Sequence, residues 1–151
     1  MPYSPSTVAN YFVKQYSKLG ALTPMKLIKL TYVSYGWYLA LSDGKRLINE
    51  EPEAWDYGPV FPTLYESLKK YGKLEVNEPI PYTSTEVISS EDAAFLDKIW
   101  EMYGEFDGVY LSALTHKEGT PWSETFVSKA NRKIPDALIR AHYEPMLKPA
   151  V

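Results

Sequence analysis

The sequence predicts a mainly α-helical fold, a single compact domain packed around one buried central helix, with a small β-hairpin leaning on it. Three observations carry this. First, a capping residue followed by proline recurs, at Ser4-Pro5, Thr23-Pro24 and Thr120-Pro121. A Ser or Thr oxygen satisfies an orphan N–H of the first turn, and proline has the right φ for the first helical position. Second, the stretch from Met25 to Leu41 carries Leu27, Ile28, Leu30, Tyr32, Val33, Tyr35, Trp37, Tyr38, Leu39 and Leu41. These cover nearly the whole circumference of a helix, and a helix apolar all round belongs at the centre of a domain. Third, one short run, Glu53-Ala54-Trp55-Asp56-Tyr57, has the alternation of a strand.

The first helix starts at Ser4-Pro5 and places Val8, Tyr11, Phe12 and Leu19 at helical spacing, with Gly20 as its stop. The central helix follows from Thr23-Pro24. Asp43-Gly44 is a turn signal. Leu47-Ile48 and the run from Glu53 to Tyr57 are expected to pair as the hairpin, with Asn49 to Pro52 as the turn and Gly58-Pro59 breaking it. A hairpin of this size is marginal alone and needs the helices behind it. The next helix runs from about Val60 to Tyr71, with Leu64, Tyr65, Leu68 and Tyr71 inward and Gly72 as its stop. Residues 73–88, with Pro79 and Pro81, are irregular; they read as a further strand or as an ordered surface wrap. Ser89-Ser90-Glu91-Asp92 caps a helix whose inner face is Phe95, Leu96, Ile99, Trp100 and Tyr103, ended by Gly104. Asp107 caps a shorter one with Tyr110, Leu111 and Leu114. Thr120-Pro121 opens a helix with Trp122 and Phe126, and Ile134-Pro135 opens the last, with Leu138, Ile139 and Tyr143, closing near Pro145. No repeat or interior linker divides the chain, so residues 1–151 read as one domain.

Composition removes many functions. The 151 residues are 45% hydrophobic and 23% charged, enough apolar content to offset chain entropy. The absence of cysteine excludes disulfides, thiolate metal sites and a cysteine nucleophile, and the two histidines, His116 and His142, are too few for a three-histidine site. Phosphate-loop, dinucleotide-binding, nucleophile-elbow and zinc-protease patterns are all missing. No cofactor and no metal is expected. A formal net charge of −3 argues against non-specific nucleic-acid binding. The N-terminus lacks a signal-peptide layout, and Lys26, Lys29, Asp43 and Lys45 interrupt the best candidate for a membrane span. The expectation is a cytoplasmic protein without a membrane partner.

Few residues stand out as chemistry. His116 and Glu118 are a close histidine–carboxylate pair, readable as a base and its orienter; the plainer reading is a helix-end histidine packed near Trp122. Glu53 and Asp56 fall on opposite strand faces, which rules out shared acid–base work. Glu53 is expected instead to form a structural ion pair with Lys26 or Lys29, the charges of the otherwise apolar central helix. The most distinctive segment is Trp55-Asp56-Tyr57-Gly58-Pro59-Val60. Its aromatics serve either as core anchors or as an exposed contact, since Trp and Tyr dominate interface hot spots. The 13 tyrosines and 15% aromatic content fit both.

Several separated motifs, in order, resemble one family. Met25-Lys26-Leu27-Ile28-Lys29-Leu30-Thr31-Tyr32 is similar to its lead helix, roughly leucine–glutamine–lysine–leucine–leucine–tyrosine, and Gly36-Trp37-Tyr38-Leu39-Ala40 continues it. Glu51-Pro52-Glu53-Ala54-Trp55, Tyr57-Gly58-Pro59-Val60, Pro62 and Tyr65 follow. Leu114-Thr115-His116 and Pro121-Trp122 resemble its leucine–threonine–histidine and proline–tryptophan element. Over about residues 5 to 147 the chain thus resembles the Panacea domain, the family of SocA-like antitoxins and GepA-like phage-associated proteins. It departs in having Met25 and Lys26 where leucine and glutamine are common.

The resemblance implies a mostly helical domain with a small β element, and a bacterial or prophage antitoxin that binds a cognate protein toxin. It also implies a second role, as an adaptor that delivers the toxin to a cytoplasmic protease. Family members can carry a fused DNA-binding domain, for which this chain has no room; that and the acidic balance disfavour a DNA-binding autorepressor. The expected protein is therefore not an enzyme. It would present an aromatic, mildly acidic surface to a basic partner face, with Trp55, Tyr57 and Pro59 as contacts and His116 and Trp122 supporting them.

Overall fold

The computed structural model describes residues 2–19, 21–80 and 86–147. Its helices begin where a side chain can close their first turn. Ser4 caps α1 (Pro5–Tyr16) by accepting from Thr7 N at 3.2 Å, and Thr23 caps α2 (Pro24–Leu41) by accepting from Lys26 N at 3.3 Å. Fifteen of the 18 residues of α2 are buried, so the helix runs through the middle of the molecule, packed against by α1, α3, α4, α5 and α7. Two of its inward hydroxyls are satisfied within the helix, Thr31 donating to Leu27 O and Ser34 to Leu30 O, one turn back. At Gly36 the ring of Tyr143 lies directly against the backbone, where a Cβ would overlap it.

The remaining helices are α3 (Pro62–Leu68), α4 (Ser90–Tyr103), α5 (Gly108–His116), α6 (Pro121–Thr125) and α7 (Asp136–Tyr143). Ser89, Asp107 and Thr120 cap α4, α5 and α6 as the sequence implied. One-turn 3₁₀ segments extend α1, α3 and α7. The core gathers Phe12, Leu30, Tyr32, Tyr35, Phe61, Leu64, Leu96 and Ile139 around α2. No helix among the described residues is long and apolar enough to cross a membrane.

The hairpin differs from expectation. Strands β1 (Glu53–Trp55) and β2 (Gly58–Val60) are antiparallel, with Glu53 opposite Val60, Ala54 opposite Pro59 and Trp55 opposite Gly58. The turn is Asp56-Tyr57, and Gly58-Pro59 is part of the sheet rather than its end. Proline is accepted because its position is opposite Ala54, whose N–H points the other way, to Arg132 O at 2.8 Å; the missing Pro59 N–H interrupts no bond to β1. Leu47-Ile48 does not join the hairpin. It pairs with the N-terminal segment instead, Tyr3 N donating to Leu47 O and Asn49 N to Tyr3 O, both at 2.8 Å.

Other differences concern inward faces. Leu19 is 72% exposed because it lies in the 3₁₀ turn after α1, out of step with the 3.6-residue period. Val60 belongs to β2, so α3 is shorter than its periodicity suggests, and Tyr65 and Tyr110 turn outward. Within 73–80 the chain is an ordered wrap, held by Val76 N to Leu22 O and Ile80 N to the side-chain oxygen of Asn10, with Val76 and Ile80 buried. Gly20 and Pro81, expected as a stop and a turn, lie outside the described residues.

Candidate functional site

The hairpin is fastened from behind at three alternate carbonyls. Trp122 Nε1, from α6, donates to Trp55 O at 2.6 Å; Ser112 Oγ, from α5, donates to Tyr57 O at 2.7 Å; Lys29 Nζ, from α2, donates to Pro59 O at 2.8 Å. One of these carbonyls is on β1, one in the turn and one on β2, so the whole bend of the hairpin is held. Each bond is worth about 1 kcal/mol net, and somewhat more when the donor is charged. Gly58 allows the close approach: its φ is +112°, and a Cβ there would stand 2.9 Å from Lys29 Nζ.

Lys29 is completely buried, and desolvation pushes its pKa down to about 7. Lys26 is also buried. It donates to Gly104 O at 2.5 Å, the closing carbonyl of α4, and lies 4.9 Å from the centre of the Trp100 ring. Burial lowers its pKa too. The expected ion pair with Glu53 is therefore not formed. Both lysines are served by backbone carbonyls, and Glu53 accepts from the indole of Trp55 at 2.9 Å. Carbonyl acceptors leave no mark in the sequence, which is why a carboxylate stood in for them.

The five candidate contact residues separate into two layers. Tyr57, in the turn, is 72% exposed, and Trp55 is half-buried, edge-on to Tyr65 at 5.1 Å. Pro59 is buried, its carbonyl taken by Lys29, so it holds the hairpin and offers no surface. His116 and Trp122 lie behind the hairpin, edge to face at 5.2 Å, with Trp122 stacked on Phe126 at 4.5 Å. His116 Nδ1 is held by Ser112 O, one turn back on α5. His116 is thus packed between Ser112 and Trp122, and Glu118 is exposed in the loop beyond. Sequence reasoning missed Ser112. Its one signal was its place four residues before His116, on the same face of α5.

In front of the hairpin lies a groove of about 920 Å³. Pro24, Met25 and Ile28 of α2 form its floor. Trp55, Tyr57 and Val60 make one wall, and Tyr65, Leu68 and Lys69 another. Gly108 and Val109 at the start of α5, and Lys129 and Asn131 beyond α6, complete the rim. Four lysines (29, 69, 73 and 129) and two aspartates (56 and 107) line it. Its exposed charges are thus three lysines against two aspartates, not the acidic face that the overall charge of −3 suggested. Among the described residues no three His, Asp or Glu side chains gather as a metal site.

The family described as "Antitoxin SocA-like, Panacea domain" matches residues 27–123, which contain the hairpin and all three of its fastenings. A relative is "Antitoxin SocA" of Caulobacter vibrioides, 27% identical over 125 residues, covering 76% of this chain. The chain spans 66% of that relative's length. No solved structure matches. With nearly two thirds of its length matched, the chain belongs to the SocA-like antitoxin, Panacea domain family.

Proposed function

We propose that this protein is an antitoxin that neutralises a cognate protein toxin by binding it directly, without chemistry, and that the hairpin and its groove are the docking face. The observation that carries the reading is Tyr57, held 72% exposed at the tip of a hairpin fastened at three carbonyls, beside the half-buried Trp55 and an apolar-floored groove. Exposed aromatics on a rigid support are what an interface hot spot requires: large contact area at low entropic cost, with neighbouring apolar surface to exclude water. The named relative, an antitoxin, supports the same reading.

Co-expression with the open reading frame next to its gene tests this. Growth arrest by the neighbour alone, relief by this protein and co-purification of the two are the expected results. Relief without co-purification would replace occlusion by delivery to a protease or by repression. A harmless neighbour would refute the pairing.

A further inference from the structure

We infer that the groove in front of the hairpin receives an acidic peptide segment of the partner, anchored by an aliphatic or aromatic side chain on the Met25–Ile28 floor. The inference deepens the antitoxin reading and rests on it for the identity of the partner; the recognition chemistry comes from the groove itself.

Charge is the first argument. The rim lysines Lys69, Lys73 and Lys129 are all exposed. Among the described residues neither Lys73 nor Lys129 has an ion-pair partner, and Lys69 only reaches Glu66, 3.7 Å away on the open face of α3. Against them stand Asp56 and Asp107, the latter also capping α5 by accepting from Tyr110 N at 2.8 Å. Lys29 lies beneath Gly58 with a carbonyl as its partner and, its pKa lowered by burial, adds little positive field. The exposed rim thus carries three lysines against two aspartates, a positive excess on a chain of net charge −3. Such local complementarity selects acidic partners and speeds their encounter.

Backbone strain is the second. Of the four non-glycine residues with positive φ among the described residues, three line this groove: Ala21 at 67°, Lys129 at 64° and Asn131 at 49°. Conformations of this kind gather where a surface must hold a particular shape for a ligand.

The form of the occupant follows from what the hairpin has left to offer. The outer edge of β1 is closed by residues 132–134, with Ala54 N donating to Arg132 O and Ile134 N to Pro52 O, both at 2.8 Å. On β2 the outward carbonyl of Pro59 is taken by Lys29. No free strand edge remains, so the segment is read through side chains and not by adding a strand. A peptide fits better than a nucleic-acid strand. The floor is aliphatic, with no row of stacking rings, and Asp56 and Asp107 would face a run of phosphates.

The test is selection of a phage-displayed random dodecapeptide library on the purified full chain, followed by fluorescence anisotropy of the selected synthetic peptides. Enriched peptides should pair Asp or Glu with a large apolar residue and weaken as salt rises. They should bind about tenfold more weakly to the Lys73→Glu/Lys129→Glu double variant, whose two positions are exposed. Val109→Glu, at a 78% exposed position on the rim, should weaken them as well and guards against misfolding of the double variant. No enrichment, basic peptides, undiminished binding to well-folded variants, or equal binding of a short oligothymidylate would each overturn the inference. Failure here with toxin relief intact removes the groove and keeps the antitoxin; peptide binding without relief does the reverse.

Discussion

Lys29→Met isolates the most consequential buried group in the molecule. The folded pKa is pushed down to about 7 by burial, against 10.5 for the unfolded chain. Between those values the unfolded state holds a proton that the folded state has lost, so stability rises with pH across this window. Below the window the folded protein carries the whole penalty, about 5 kcal/mol from a difference of about 3.5 pH units. Methionine removes the charge but leaves Pro59 O without its donor, which costs about 1–3 kcal/mol. The variant should therefore be about 2 kcal/mol more stable than wild type at neutral pH. Urea unfolding of both proteins from about pH 7.5 to about pH 9.5 is the assay. The wild type should gain about 2–3 kcal/mol on the variant over that range. Tyrosines shared by both proteins cancel in the difference, and their raised pKa values, such as that of Tyr11 at about 12, destabilise only above about pH 10. A difference that stays flat with pH would refute the reasoning, because Lys29 would then ionise as it does in water.

Tyr57→Ala should leave stability within about 0.5 kcal/mol, because the ring is exposed, while weakening toxin binding at least tenfold in a titration. Trp55→Ala should do the same with a larger stability cost, read by thermal unfolding, since it also loses the Tyr65 contact and the Glu53 hydrogen bond. Trp122→Phe keeps a ring but removes the donor to Trp55 O. It should cost about 1–2 kcal/mol in chemical denaturation and weaken toxin binding without touching the groove. Gly36→Ala forces a methyl into the buried Tyr143 ring and should cost more than about 3 kcal/mol, visible as loss of soluble protein or a sharply lowered Tm.

What was legible in the sequence was local. Ser4, Thr23, Ser89, Asp107 and Thr120 each accept from the backbone N–H three residues on, so both partners of each cap lie in one short window. The central place of α2 was equally plain, because a helix apolar on every side has no other stable position. Register was not. A strand interrupted by proline reads as an ending, and only the direction of the Ala54 N–H, set by Arg132 far along the chain, makes Pro59 acceptable in β2. The partners of Lys26 and Lys29 were hidden for a related reason. A carboxylate is visible as a residue type, whereas any residue can supply a carbonyl.

The candidate site divides in the same way. Motifs from Met25 to Trp122 sufficed to indicate the family, and the Trp55–Val60 segment was already its most distinctive part. Which of those residues meets a partner depends on the tertiary structure. Tyr57 is free because it occupies the turn; Pro59 and Trp122 are not, because helices 30 and 67 residues away in sequence claim the hairpin's carbonyls. The groove and its basic sign arise from α2, the hairpin, α3, the start of α5 and the loop after α6, none of which carries a signal of it alone. Where helices begin and which helix is central could be read from residue order alone, since those rest on energies exchanged between near neighbours. Exposure, register and the charge of a concave surface were decided only when distant segments packed, because they are properties of the space between elements.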